Sequence, residues 1–123
     1  MKPRICLDFD GVLAEYHGWQ PGKPPGPPLP SARAAVILLA QEYEVVILSS
    51  RDTETIRAWL NQYDFPPLDI TNHKLPASLY IDDRAIRFPG KWDLSFLADL
   101  RYLRPWWDTT GDGDRWQALA KEE

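Results

Sequence analysis

Asp8 and Asp10 stand two positions apart at the end of an apolar run, in Leu7-Asp8-Phe9-Asp10-Gly11-Val12-Leu13. Ile5, Cys6, Leu7 and Phe9 read as a buried strand, and Gly11 reads as the turn that ends it. Isolated carboxylates are costly to bury, so a pair at the head of a core strand calls for a cation or for hydrogen-bond donors. Such a pair offers hard oxygen ligands to a metal and a nucleophilic oxygen beside it. Two more apolar runs end in polar groups: Ser49-Ser50-Arg51 follows one, and Asp82-Asp83-Arg84 follows another. In open α/β sheets ligands bind outside the carboxyl ends of the strands, where the strand order switches. Three such endings imply one site along one sheet edge. The bland alternative is a buried polar network with a purely structural role.

The elements that must position these groups follow from spacing. Residues 4–9 form the first strand. Residues 14–30 contain Pro21, Pro24, Pro25, Pro27, Pro28 and Pro30. Proline lacks the amide donor and fixes φ, so this stretch is expected to be an extended loop. A stiff loop beside the Asp pair accounts for it better than an SH3-type ligand does, because Pro-x-x-Pro matches are common by chance. Ser31 is the predicted N-cap of a helix over 32–43. Ala32, Ala35, Val36, Leu39, Ala40 and Tyr43 recur at helical spacing, with Ile37 and Leu38 widening the face. Residues 44–49 form a second buried strand. A second helix starts after Asp52 or Thr53, buries Ile56, Trp59, Leu60 and Tyr63, and stops before Pro66 and Pro67. Short strands are predicted over 68–71, 78–81 and 85–88. A last helix over 92–103 is expected to bury Phe96, Leu97, Leu100 and Leu103. Strands alternating with helices indicate an α/β fold with a mainly parallel sheet.

With 123 residues the chain is expected to be one domain, large enough for a sheet covered on both faces. Its 14 basic and 18 acidic residues give a net charge of -4, which argues against a sequence-independent grip on nucleic acid. A local basic mouth around an anion site remains compatible with that balance, and a bound divalent cation would change the local sign. The one cysteine, Cys6, has no intrachain disulfide partner and reads as a small buried side chain. No run approaches the ~20 apolar residues of a membrane span. The basic start, Met1 to Arg4, meets Asp8 too soon for a signal peptide. A soluble cytoplasmic protein, monomeric or weakly dimeric and with no membrane partner, is the expectation.

The motifs in this order resemble those of the haloacid dehalogenase (HAD) superfamily, most of whose members are Mg²⁺-dependent phosphohydrolases. Asp8-Phe9-Asp10 matches the first motif, Ser49 the second, Lys74 the lysine of the third, and Asp82-Asp83 the acidic fourth. The resemblance covers residues 4 to about 92. It implies a Rossmann-like three-layer sandwich with a mainly parallel central sheet. The catalytic domain would span 1–105, with 14–30 as a flap and 106–123 as an extension packed on the domain or partly disordered. The gaps at 14–30 and between Arg51 and Lys74 are too short for the cap domain that many relatives carry.

The implied activity is phosphomonoester hydrolysis. Asp8 is the nucleophile that forms an aspartyl-phosphate, and Asp10 is the general acid and then base. Mg²⁺ is held by Asp8, the Asp10 carbonyl and an acid from Asp82-Asp83. Ser49 and Lys74 bind phosphoryl oxygens, while Arg51 either joins them or pairs with a carboxylate. Asp at the second position of motif one accompanies ester hydrolysis rather than dehalogenation. An uncapped site admits a nucleotide, a nucleic-acid end or a phosphoprotein as the phosphorylated substrate, with Tyr16, His17 or Trp19 touching the leaving group.

The alternative is a catalytically silent HAD-like module that binds a phosphorylated partner. It fits less well, because all four motif positions are filled. Ser50 and Arg84 lean structural, and His17 and His73 read as solvated loop residues. Lys23 and Lys91 are weaker matches for the third motif than Lys74. Asp108 to Gly113 resembles the start of an EF-hand loop, but Thr110 and Leu119 stand where acidic ligands are needed, so a turn is expected. Trp106, Trp107 and Trp116 are too apolar for a free tail and are expected to dock on the domain, with a dimer contact as the lesser alternative.

Overall fold

A computed structural model of the chain describes residues 1–108; Trp116 and most of the Asp108–Gly113 turn lie outside the described residues. The chain divides into two compact units, Met1–Asp83 and a second beginning at Arg84. The first unit is built on four strands, β1 (Arg4–Leu7), β2 (Glu44–Leu48), β3 (Asp69–Thr71) and β4 (Leu79–Ile81). All pair in parallel, in the order β3-β2-β1-β4. Helix α1 (Ala32–Glu42) links β1 to β2, and α2 (Thr53–Gln62) links β2 to β3. The α/β class and the parallel sheet are therefore as the alternation of patterns requires.

The pleat sends alternate side chains to opposite faces, and the core follows that period. Ile5, Leu7, Val45 and Ile47 point to one face. There they meet Ala32 and Val36 of α1, and Ile56, Trp59 and Leu60 of α2, with Phe9, Leu13, Phe65 and Leu68 closing the cluster. Each large side chain fully buried here contributes about 1.5–3 kcal/mol. Cys6 and Val46, on the alternate positions, are buried as well, as expected of central parallel strands. Cys6 is thus the small buried side chain its neighbours suggested. Trp59 anchors the aromatic part of the core, meeting Phe9 edge-on at 4.8 Å and Phe65 at 5.0 Å between centroids.

Register levels the strand ends. Leu7 lies opposite Ile47 on one side and Ile81 on the other. The pairing runs one step further, because the Asp8 amide donates to the Ile81 carbonyl (2.9 Å) and the Ser49 amide to the Thr71 carbonyl (3.0 Å). Asp8, Ser49 and Asp82 therefore leave the sheet at the same edge.

Several local expectations need correcting. Ser31 occupies the N-cap position of α1 but adopts φ 66°, in the left-handed region, and makes no side-chain cap bond. A capping side chain needs an extended backbone to reach the second or third amide of the helix. Ile37 and Leu38 are exposed and do not widen the buried face, since α1 meets the core through a narrow stripe of Ala32 and Val36 with Leu39 and Ala40 partly buried beside it. By contrast, Asp52 caps α2 by accepting from the Thr55 amide at 3.0 Å.

The second unit holds a shorter helix than its pattern suggests, α3 (Leu94–Asp99), followed by a 3₁₀ turn over Leu100–Tyr102. Asp93 caps α3 through the Phe96 amide. Residues 85–88 form no strand, and Leu97, Leu100 and Leu103 are exposed. Fewer than two turns of helix cannot align these leucines as one buried stripe. Phe88, Trp92 and Phe96 instead stack on one another, with centroids 4.9–5.8 Å apart. Among the described residues, no helix is long and apolar enough to cross a membrane.

Candidate active site

The chain runs from β1 outward through β2 to β3, then returns to place β4 on the other side of β1. The strand order therefore switches between β1 and β4, the place where an α/β sheet opens a crevice at its carboxyl edge. Asp8 ends β1, and Asp82 and Asp83 end β4. One carboxylate oxygen from each lies within 4.8 Å of the others.

Asp8 is half-buried, and its Oδ1 accepts the Phe9 amide at 2.7 Å. Burial and a hydrogen bond with the Asp83 carboxyl push the Asp8 pKa up to about 8, against the pull of the Phe9 amide; the negative charges of Asp82 and Asp83 add to the rise. Crowded carboxylates must share protons or be joined by a cation. All the ligand atoms are oxygen, the donor type that suits Mg²⁺.

Asp10 lies in the opposite electrostatic setting. Arg51 grips its carboxylate with two bonds, Nε to Oδ2 at 2.8 Å and a terminal nitrogen to Oδ1 at 3.0 Å. Both side chains are mostly shielded, 12% exposed for Arg51 and 21% for Asp10. The turn after Phe9 sets this position. Gly11 adopts φ 85°, and the amides of Leu13 and Ala14 both reach back to the Phe9 carbonyl. A side chain at Gly11 would strain that left-handed backbone.

Sequence spacing left Arg51 open between substrate and carboxylate; the carboxylate it takes is that of Asp10. Ser49 is buried, and its Oγ accepts the Arg51 amide at 3.1 Å. A hydroxyl can donate while it accepts, so the Ser49 proton can still serve another acceptor.

Lys74 is exposed, with its ammonium 5.0 Å from the centroid of the Tyr80 ring. The Tyr80 hydroxyl donates to the Leu75 carbonyl, tying this segment to the strand that ends in Asp82. His73 and His17 are exposed, and His17 Nε2 lies 3.2 Å from Glu15 Oε1. Within the second unit, Arg84 stacks its guanidinium on Trp107 at 5.2 Å.

The proline-rich loop is fastened at both ends. Glu15 donates its amide to the Pro27 carbonyl and Leu29 donates to Leu13, each at 2.8 Å. Trp59 donates its indole N–H to the Gly26 carbonyl at 2.7 Å. A Cβ on Gly26 would lie 2.5 Å from the Glu15 carbonyl oxygen, so this close approach needs glycine. The loop carries Trp19 over Arg51, 5.7 Å from guanidinium carbon to ring centroid. Trp59 was legible in sequence only as helix core. A buried indole needs a hydrogen-bond acceptor, and that requirement was the available signal for its second role.

Fold and site together define a small parallel α/β domain with an oxygen-only acidic cluster at its switch point. No protein-family model and no curated protein matches the chain. Among solved structures, the chain is similar to a conserved protein from Bacteroides thetaiotaomicron. The two share 24% identity over 81% of this chain and 89% of that one, with a TM-score of 0.56. That likeness shows the fold.

Proposed function

We propose that this chain is a small capless HAD-type phosphatase, a Mg²⁺-dependent phosphomonoester hydrolase acting through an aspartyl-phosphate on Asp8. The observation that carries the reading is the meeting of Asp8, Asp82 and Asp83 at the switch point, with Asp10 held separately by Arg51. In this reading the finer architecture is the three-layer HAD core, and the loop over 14–30 stands in place of a cap.

Asp8, Asp82 and Asp83 would hold Mg²⁺, which offsets the repulsion between an anionic nucleophile and an anionic phosphate. An Asp8 oxygen attacks phosphorus, the bond from phosphorus to the leaving oxygen breaks, and Asp10 donates its proton to that oxygen. Asp10 then takes a proton from water as the water oxygen attacks phosphorus, releasing inorganic phosphate and restoring the Asp8 carboxylate. Arg51 orients the Asp10 carboxylate in the resting site, because a bidentate fork fixes a carboxylate plane as well as its position, and one prong opens while Asp10 carries the proton it donates. Ser49 and Lys74 complete the site as donors to the phosphoryl oxygens.

The test is release of p-nitrophenol and inorganic phosphate from phosphomonoesters, with Mg²⁺ and with EDTA, beside Asp8→Asn. Metal-dependent turnover that the substitution abolishes is the expected result. A folded protein that binds phosphoesters with Mg²⁺ and leaves them all intact would replace this reading with the silent binding module.

A further inference from the structure

A cleft of about 280 Å³ opens between the flap loop and the Asp10–Arg51 pair. Asp10 and Arg51 form part of its wall, with Tyr16, Trp19, Pro24 and Pro27 from the loop. Asp10 lines it, whereas the described residues around it include none of Asp8, Asp82 and Asp83. The cleft therefore reaches the proton donor and is not walled by the acidic cluster. Resting on the hydrolase reading, we infer that this cleft receives the leaving group and selects phosphomonoesters whose alcohol side carries a flat aromatic ring system, stacked on Trp19.

Three observations support that chemistry. The volume sits near the lower end of the ~300–1,000 Å³ range of small-molecule pockets, the scale of a single ring system rather than a protein face. Trp19 lines the cleft and is 65% exposed, so a ring laid on it removes apolar surface from water. Its ring packs on Arg51, which in turn grips Asp10, so the stacking surface is coupled to the proton donor through one side chain. The loop is held by the Glu15–Pro27 and Trp59–Gly26 bonds, which presents the wall before a ligand arrives and lowers the ordering cost of binding.

Two sources supply this chemistry. In an aryl phosphate the ring bears the ester oxygen, and in a nucleoside monophosphate a sugar separates the two. The experiment measures kcat/KM for p-nitrophenyl phosphate, a nucleoside 5′-monophosphate and ringless ribose 5-phosphate, in wild type, Trp19→Ala and Trp19→Phe. Each ester is compared with itself across variants, so differences in leaving-group reactivity cancel. Trp19→Ala is expected to lower kcat/KM on at least one ringed ester about ten-fold or more beyond its effect on ribose 5-phosphate. Trp19→Phe should restore most of that loss, and the ringed ester affected identifies the source. An equal effect on ringed and ringless esters overturns the inference.

Calorimetric titration of the same three esters into Asp8→Asn with Mg²⁺ separates this inference from the hydrolase reading. If wild type hydrolyses nothing, yet ringed esters bind and Trp19→Ala in that background abolishes their advantage, the cleft assignment stands and the hydrolase reading fails. Binding that ignores the ring overturns the cleft assignment whether or not turnover is seen.

Discussion

Asp8 and Asp10 are two residues apart on one strand end, yet their surroundings are opposite. Asp8 is crowded by Asp82 and Asp83 and driven toward its neutral form, while Asp10 is locked to a guanidinium by two short bonds. Identical side chains are thus given different surroundings by what the sheet brings beside them. On one side three carboxylates gather, and on the other a guanidinium fixes the plane of a single carboxylate.

Substitution on each side breaks this contrast in a characteristic way. The largest effect is expected for Asp8→Asn, which should take Mg²⁺-dependent phosphate release below detection, since no oxyanion remains to attack phosphorus. Asp10→Asn should lower kcat by about 10²–10⁴-fold, the usual contribution of general acid–base help, with Mg²⁺ affinity little changed. Arg51→Lys should cost about 10²-fold in kcat, because an ammonium cannot reproduce the two-pronged grip and Asp10 would drift from its position. If Arg51→Lys were as active as wild type, the orienting role assigned to Arg51 would be wrong.

The acidic side also has a pH signature in the absence of metal. The Asp8 pKa is about 8 in the folded chain, far above its ordinary carboxylate value. The folded state keeps a proton that the unfolded chain releases near pH 4. That contribution to stability is complete below about pH 4 and is lost as pH rises toward 8. Melting temperatures in EDTA should therefore fall between pH 5 and pH 8. Asp8→Asn should flatten that slope, and Mg²⁺ should raise the melting temperature most at the alkaline end. The smallest effect is expected at the loop. Gly26→Ala should cost about 1–3 kcal/mol, a drop of several degrees, because the new Cβ meets the Glu15 backbone.

Much of the first unit could be read along the chain because local patterns and global packing agree there. The runs around Ile5, Val45 and Leu79 are short and apolar, and turn or polar residues bound each of them. Asp52 stands where a capping carboxylate is needed. The same logic failed at Ser31, whose residue type suits a cap while its left-handed backbone forbids one. It failed again at residues 85–88, where the apolar pattern forms no strand, and at the leucines after Leu94, which stay exposed. A periodic stripe states only which residues could share a face. It does not say how many turns the helix keeps, or whether anything covers it.

The sequence by itself determined that Asp8, Ser49 and Asp82 each follow a strand, because apolar runs and their polar endings are local properties; that β1 and β2 are buried while β4 stays exposed was not among them. It also determined that the loop over 14–30 is stiff, because proline restricts φ wherever it stands. Tertiary structure alone decided that β4 lies against β1, and hence that Asp82 and Asp83 close on Asp8. It alone decided that Arg51 belongs to Asp10 and that Trp19 lies over Arg51. Strand order and side-chain pairing join residues some 30 to 75 positions apart, and neither propensity nor periodicity carries information over that separation.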